Sequence, residues 1–179
     1  SKEENKKLAS ITLGDARSLP FNDELFDLVL LFGPLYHLQK KEDRINVLCE
    51  AKRVLKKGGT LLAATITRYA SLFDGFWLNL VEDPAFEKIL DGDLKDGNHH
   101  NHTNNPVYFT ESHFHTQKEI TEEFTEAGFT NLSVEAIEGF GWLVPGFSTQ
   151  WNDAVKRERM LNYIRQTAVD PIMTGISAH

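Results

Sequence analysis

Phe26-Asp27-Leu28-Val29-Leu30-Leu31-Phe32, ended by Gly33-Pro34, decides the fold class. A near-continuous apolar run of this length suits a parallel strand buried on both faces. A helix follows over about Lys41 to Lys56. Ile45, Leu48, Ala51 and Leu55 make its apolar stripe, widened by Val47 and Val54. Glu42 and Asp43 in its first turn, and Lys56 and Lys57 at its end, match the helix dipole. Gly58-Gly59 supplies a left-handed stop, and Thr60 to Ile66 reads as a second apolar strand. Strand, helix and strand with short links form a right-handed crossover in a parallel sheet.

Upstream, Ile11-Thr12-Leu13 reads as a short strand stopped by Gly14-Asp15. Downstream, Thr67 to His115 mixes Phe, Trp and Leu with Asp, Gly, Asn and His and carries no long period. Two short helices are expected there, near Leu72–Val81 and Pro84–Leu90, followed by a mobile loop. We read residues 68–115 as an inserted lid, because an insertion after the C-terminal end of a strand is placed to cover a binding crevice. Thr116-Gln117-Lys118-Glu119 has capping-box spacing. It opens a helix with Ile120, Phe124 and Ala127 inward that ends at Gly128. Leu132, Val134 and Ala136 alternate with Asn131, Ser133 and Glu135, as in a half-exposed strand. A last helix is expected over roughly Trp151 to Ala168.

The chain has 179 residues, 41% of them hydrophobic and 25% charged, which allows one globular domain over 1–179. No apolar stretch approaches the roughly 18 residues that a membrane-spanning helix needs. Cys49 is the only cysteine, so no internal disulfide forms and a cytoplasmic setting is expected. A formal net charge of −7 argues against nucleic acid as the partner.

Four motifs stand in order: Gly14-Asp15-Ala16-Arg17-Ser18-Leu19-Pro20-Phe21, then Phe26-Asp27-Leu28-Val29, then Gly33-Pro34-Leu35-Tyr36-His37-Leu38, and finally Glu50-Ala51-Lys52-Arg53-Val54-Leu55-Lys56-Lys57-Gly58-Gly59. Together they resemble the class I S-adenosylmethionine-dependent methyltransferases, near the ubiquinone and menaquinone C-methyltransferases. The resemblance is strong from Ile11 to about Ile66 and moderate from Phe114 to Ile137. It implies an α/β, Rossmann-like sheet, mostly parallel with an antiparallel edge, S-adenosylmethionine as cofactor and a small-molecule methyl acceptor. The family's acidic residue and Gly-rich turn do not occur before Gly14. The expectation is that two strand–helix units, each of roughly 30 residues, lie upstream of Ser1. A chain limited to these residues would then bind cofactor weakly. Gly175-Ile176-Ser177-Ala178-His179 resembles the entry to the family's final antiparallel strand.

By the same resemblance, Asp15 would accept from the adenine amino group, with the backbone of Ala16 and Arg17 nearby. Its plainer role is a turn aspartate bonding its own backbone. Phe32 and Gly33 end the central strand, and Gly33 lets a cofactor approach closely. Tyr36 and His37 could face the transferred methyl, and a histidine there can serve as general base near neutral pH. Tyr69, His113, His115 and Trp142 are candidates for the substrate pocket. His113 and His115, one residue apart, can point the same way on a strand. No cysteine is near them, and the loop from Asp96 to Pro106 would not fix geometry, so no metal is expected.

Two other readings remain open: a non-catalytic fragment acting through association, since unpaired sheet edges invite a second chain and a homo-oligomer, and a nicotinamide-dependent oxidoreductase. Gly14-Asp15 with Leu19-Pro20-Phe21 weighs against the latter.

Overall fold

The computed structural model describes residues 8–179. Its first strand, β1 (Phe26–Phe32), leads through the single turn α1 (Pro34–His37) to α2 (Lys41–Val54) and then β2 (Leu55–Ala64). β1 and β2 pair in parallel, so the predicted crossover is present. The α/β class follows from it.

The glycine pair does something other than end the helix. Helix α2 stops at Val54, and Leu55 already pairs with Phe26. The next pair is Leu28 with Thr60, so residues 56–59 bulge out of the ladder. Gly58 takes a φ of 78° there, and a Cβ on Gly59 would lie 3.0 Å from the Lys56 carbonyl oxygen and 3.1 Å from that of Asp27. Both glycines are therefore demanded by a β-bulge.

β1 is buried on one face only. Leu31 joins Leu35, Val47, Leu48 and Ala127 in a core formed by β1, α1, α2 and α5 (Gln117–Glu126). Leu28, Leu30 and Phe32 are 50%, 56% and 61% exposed, which corrects the expectation of burial on both faces. Among the described residues β2 is the only strand paired with β1, and no layer covers this face. The expected strand Ile11-Thr12-Leu13 is likewise absent. Those residues have no regular structure and are exposed, because no neighbouring strand supplies a ladder.

A second, three-stranded sheet has the order β3 (Ile66–Thr67), β5 (Ser112–His115), β4 (Asn98–His99). β3 is parallel to β5, and β4 is antiparallel to it. In the segment between β3 and β5, regular structure extends further than expected. The segment holds α3 (Ala70–Trp77) and α4 (Pro84–Asp96). Asp83 caps α4 by accepting from Ala85 N–H at 2.8 Å. The helix runs six residues past the expected Leu90, because Asp93 is buried on its inner face and Gly97 is the first left-handed stop. Phe86, Ile89, Leu90 and Tyr108 give this segment a small core of its own.

The capping box of α5 is as expected, with Glu119 N–H donating to Thr116 Oγ1 and Thr116 N–H to the Glu119 carboxylate. Residues 132–136 form no strand. Their alternation survives as exposed Leu132, half-buried Val134 and buried Ala136, but no ladder accompanies it. The expected last helix is two: α6 (Phe147–Asn152) and α7 (Ala154–Thr167), divided by Asp153, which caps the second. A further helix, α8 (Pro171–Ile176), docks the end of the chain, where Thr67 N–H donates to the Ala178 carbonyl and Ile137 N–H to that of His179.

Candidate functional site

Asp15 sits in an exposed turn closed by Ser18 N–H donating to its carbonyl. Its carboxylate accepts from the Arg17 backbone at 2.9 Å and from the Arg17 guanidinium at 2.8 Å. The side-chain bond from Arg17, then the backbone bond, holds the Asp15 carboxyl down at about 2. The self-bonded aspartate turn is thus formed, with the carboxylate still open to solvent. Arg17 also reaches Asp43 in the first turn of α2, and Ala16 packs against the core that contains Leu31 and Leu35. The turn is thereby fastened beside the C-terminal end of β1.

Phe32 and Gly33 lie at that end. Gly33 has a φ of 136°, and a Cβ built there would meet nothing closer than Tyr36 Oη at 3.8 Å. Its carbonyl accepts from Tyr36 N–H and His37 N–H, which starts α1. His37 is exposed, with its ring 4.7 Å from that of Tyr36 and stacked at 6.2 Å on Phe109. Tyr36 packs against Ile66, Ala70 and Phe114, and the exposed Tyr69 directly precedes Ala70. The structure therefore gathers Asp15, Ala16, Arg17, Phe32, Gly33, Tyr36 and His37 around the end of β1, with Tyr69 and Phe109 alongside.

Trp142 and the two β5 histidines have other surroundings. Trp142 Nε1 donates to the Ile176 carbonyl at 2.8 Å, and its ring meets Phe73 edge-on. His113 and His115 are buried on β5. His113 Nδ1 bonds Asn98 Oδ1 at 3.0 Å, and burial, followed by the neighbouring His115 and Arg44, lowers the imidazole to about 3. His115 Nε2 meets Glu123 Oε2 at 3.3 Å. Glu123 also takes the Arg44 guanidinium, whose Nε lies 3.0 Å from both carboxylate oxygens. Burial opposes ionisation of Glu123, but the bonds from His115 and Arg44 win and hold it at about 2.

Arg44 and Glu123 were missed because only the apolar residues of their helices were taken as inward. The signal is in the spacing. Arg44 stands with Val47, Leu48 and Ala51, and Glu123 with Ile120, Phe124 and Ala127, each on an apolar stripe. A second missed cluster is His99, fully buried in the segment expected to be a loop. It bonds Asp93 at 2.9 Å through Nδ1 and the Tyr108 carbonyl at 2.6 Å through Nε2. Both partners are acceptors, so both ring nitrogens must donate. Burial opposes that charge, yet the Asp93 bond raises the His99 imidazole above its ordinary value.

A groove of about 1430 Å³ lies elsewhere. It runs along β2 and the segment after α5, past Leu62, Ala64, Phe124, Leu132 and Ile137. Of the residues expected at the cofactor, Phe32 alone lines it.

Residues 1–63 match the methyltransferase domain family, so the class expected from the four motifs stands. The relatives the chain is similar to include quinone methyltransferases, in keeping with the class I S-adenosylmethionine-dependent group that the motifs resemble. The demethylmenaquinone methyltransferase of Alkalihalophilus pseudofirmus is 30% identical over 146 residues, 77% of this chain and 56% of that protein. A mitochondrial 2-methoxy-6-polyprenyl-1,4-benzoquinol methylase from Pongo abelii is 30% identical over 132 residues, 70% of this chain and 36% of that protein. The demethylmenaquinone methyltransferase of Lactococcus lactis is 29% identical over 154 residues, 83% of this chain and 56% of that protein. The chain spans about half the length, or less, of these curated relatives. Among the described residues no helix is long and apolar enough to cross a membrane.

Proposed function

We propose that the protein transfers a methyl group from S-adenosylmethionine to a small aromatic acceptor of the quinol kind. The observation that carries this is the clustering of the methyltransferase motifs at one end of β1, with an exposed carboxylate on Asp15 and an open approach at Gly33. The residues present fit part of the cofactor. Asp15 offers lone pairs to an amino group, Phe32 an exposed ring, and Gly33 a surface without a side chain. When bound, S-adenosylmethionine supplies a methyl group already activated on a sulfonium. The chain's part is then to orient and to exclude water. In this reading Tyr36 and His37 hold the acceptor's proton, Tyr69 stands beside them, and residues 68–115 cover the site. The quinol assignment rests on the names of the relatives.

The test is calorimetric titration of S-adenosylhomocysteine into the product of the complete gene. Saturable binding that Asp15→Ala weakens would support the reading. A folded protein that gives no heat of binding would overturn it, and would favour a scaffold role through the open sheet edges.

A further inference from the structure

We propose that His113, His115 and Glu123 bind a divalent metal ion of the zinc type, fastening α5 to β5. One ligand atom from each lies within 4.8 Å of the others, and all three side chains are buried. Two histidines and a carboxylate form a donor set that zinc accepts, with one position left for water or a further ligand.

The hydrogen bonding favours this over a chance cluster. Nδ1–H of His113 donates to Asn98 Oδ1, which fixes the tautomer and leaves a lone pair on Nε2. That atom is buried and has no hydrogen-bond partner. A buried ring nitrogen without a partner costs stability. An ion pair between Arg44 and Glu123 would not require His113 to be there at all.

Distances and access agree. Zinc–ligand bonds of roughly 2.0–2.2 Å put the ligand atoms of a tetrahedral site roughly 3.3–3.5 Å apart. His115 Nε2 and Glu123 Oε2 already stand 3.3 Å apart. A cleft of about 350 Å³, lined by Glu42, Asn98, Glu122, His113 and Glu123 among others, gives an entry path. Arg44 is the opposing charge at the ligands, and Lys41 adds a second on the cleft wall. Arg44 Nη2 bonds Glu123 Oε1 and its Nε reaches both carboxylate oxygens, while Oε2 also faces His115 and would be the ligand oxygen. Glu42 and Glu122 on the cleft wall offset part of the added positive charge.

The experiment uses the chain stripped by a chelator, then dialysed against Zn²⁺ and, separately, titrated with Co²⁺. One Zn²⁺ retained per chain and the intense visible absorption of low-coordinate cobalt are expected. Asn98→Ala should weaken binding roughly 10- to 100-fold through loss of the outer-shell partner, and His113→Ala by more. A double His100→Ala, His102→Ala variant should bind as the parent does. Glu123→Gln strands Arg44 and can unfold the chain, so the decision rests on His113→Ala and Asn98→Ala, each shown folded by circular dichroism. No saturable cobalt spectrum, only the weak spectrum of octahedral cobalt, or parental affinity in folded His113→Ala, each overturns the proposal.

Discussion

His99 and His113 lie on the paired strands β4 and β5, His99 opposite Ser112 and His113 opposite Asn98, and their imidazoles are shifted in opposite directions. Both are buried. His99 has an acceptor at each ring nitrogen, a carboxylate and a carbonyl, and the Asp93 bond raises its imidazole above the ordinary value against the opposition of burial. His113 has one acceptor, the amide of Asn98, and stays neutral. Burial alone pushes any histidine towards neutrality. What separates the two is how many acceptors surround the ring, and whether one is a carboxylate.

The comparison can be broken most directly at its strongest electrostatic contact. Replacing Glu123 by Ala leaves the Arg44 guanidinium buried and uncompensated, which should cost about 3–5 kcal/mol in chemical denaturation. Replacing both partners together, Arg44→Met with Glu123→Leu, should recover most of that loss. A single variant costing under about 1 kcal/mol would show that water reaches Arg44.

Asp93→Asn comes next. It removes the countercharge of His99 while keeping the shape, and should cost about 1–3 kcal/mol.

The third test is pH. His99 has a folded value above its unfolded one, so its contribution is full below the ordinary histidine value of 6.5 and fades as pH rises through the folded value. Denaturation followed from pH 6 upward should show that decline in the parent and lose it in Asp93→Asn. Nitrogen-15 spectra near neutral pH should show two protonated ring nitrogens on His99 and one on His113. A neutral His99 would remove the distinction.

The smallest effect is expected at Asp15. Its carboxyl is lowered to about 2, as is that of Glu123, yet it is exposed, and salt and solvent screen its pair with Arg17. Asp15→Ala should leave the thermal midpoint where it is while weakening cofactor binding.

The crossover from β1 to β2 was legible because it depends on local pattern: an unbroken apolar run, a stripe of period 3.6, and a glycine pair between helix and strand. Even there the glycines were assigned to the helix end when they serve a bulge, since a positive φ suits both. The strands expected at Ile11-Thr12-Leu13 and over 132–136 show the opposite case. Alternation or apolarity marks a segment as able to join a sheet, but a ladder also needs a neighbour, which is a tertiary fact. The turn at Asp15 and the glycine at the end of β1 were found as motifs, and both turns form, although the strand expected to lead into Asp15 does not. The cluster of Arg44, Glu123, His113 and His115 joins α2 to the consecutive elements β5 and α5, with 79 positions between Arg44 and Glu123. Charged residues on apolar stripes were the available sign of it, and they name no partner.

The bare face of β1 has a practical consequence. With Leu28, Leu30 and Phe32 turned to water, and Leu62 of β2 also exposed, the chain carries a greasy stripe on a strand edge. Such a surface governs handling as much as folding. It should retain the chain on a phenyl column and increase light scattering as ammonium sulfate is added. A Leu30→Lys variant should come through both treatments more nearly as a clear, early-eluting solution.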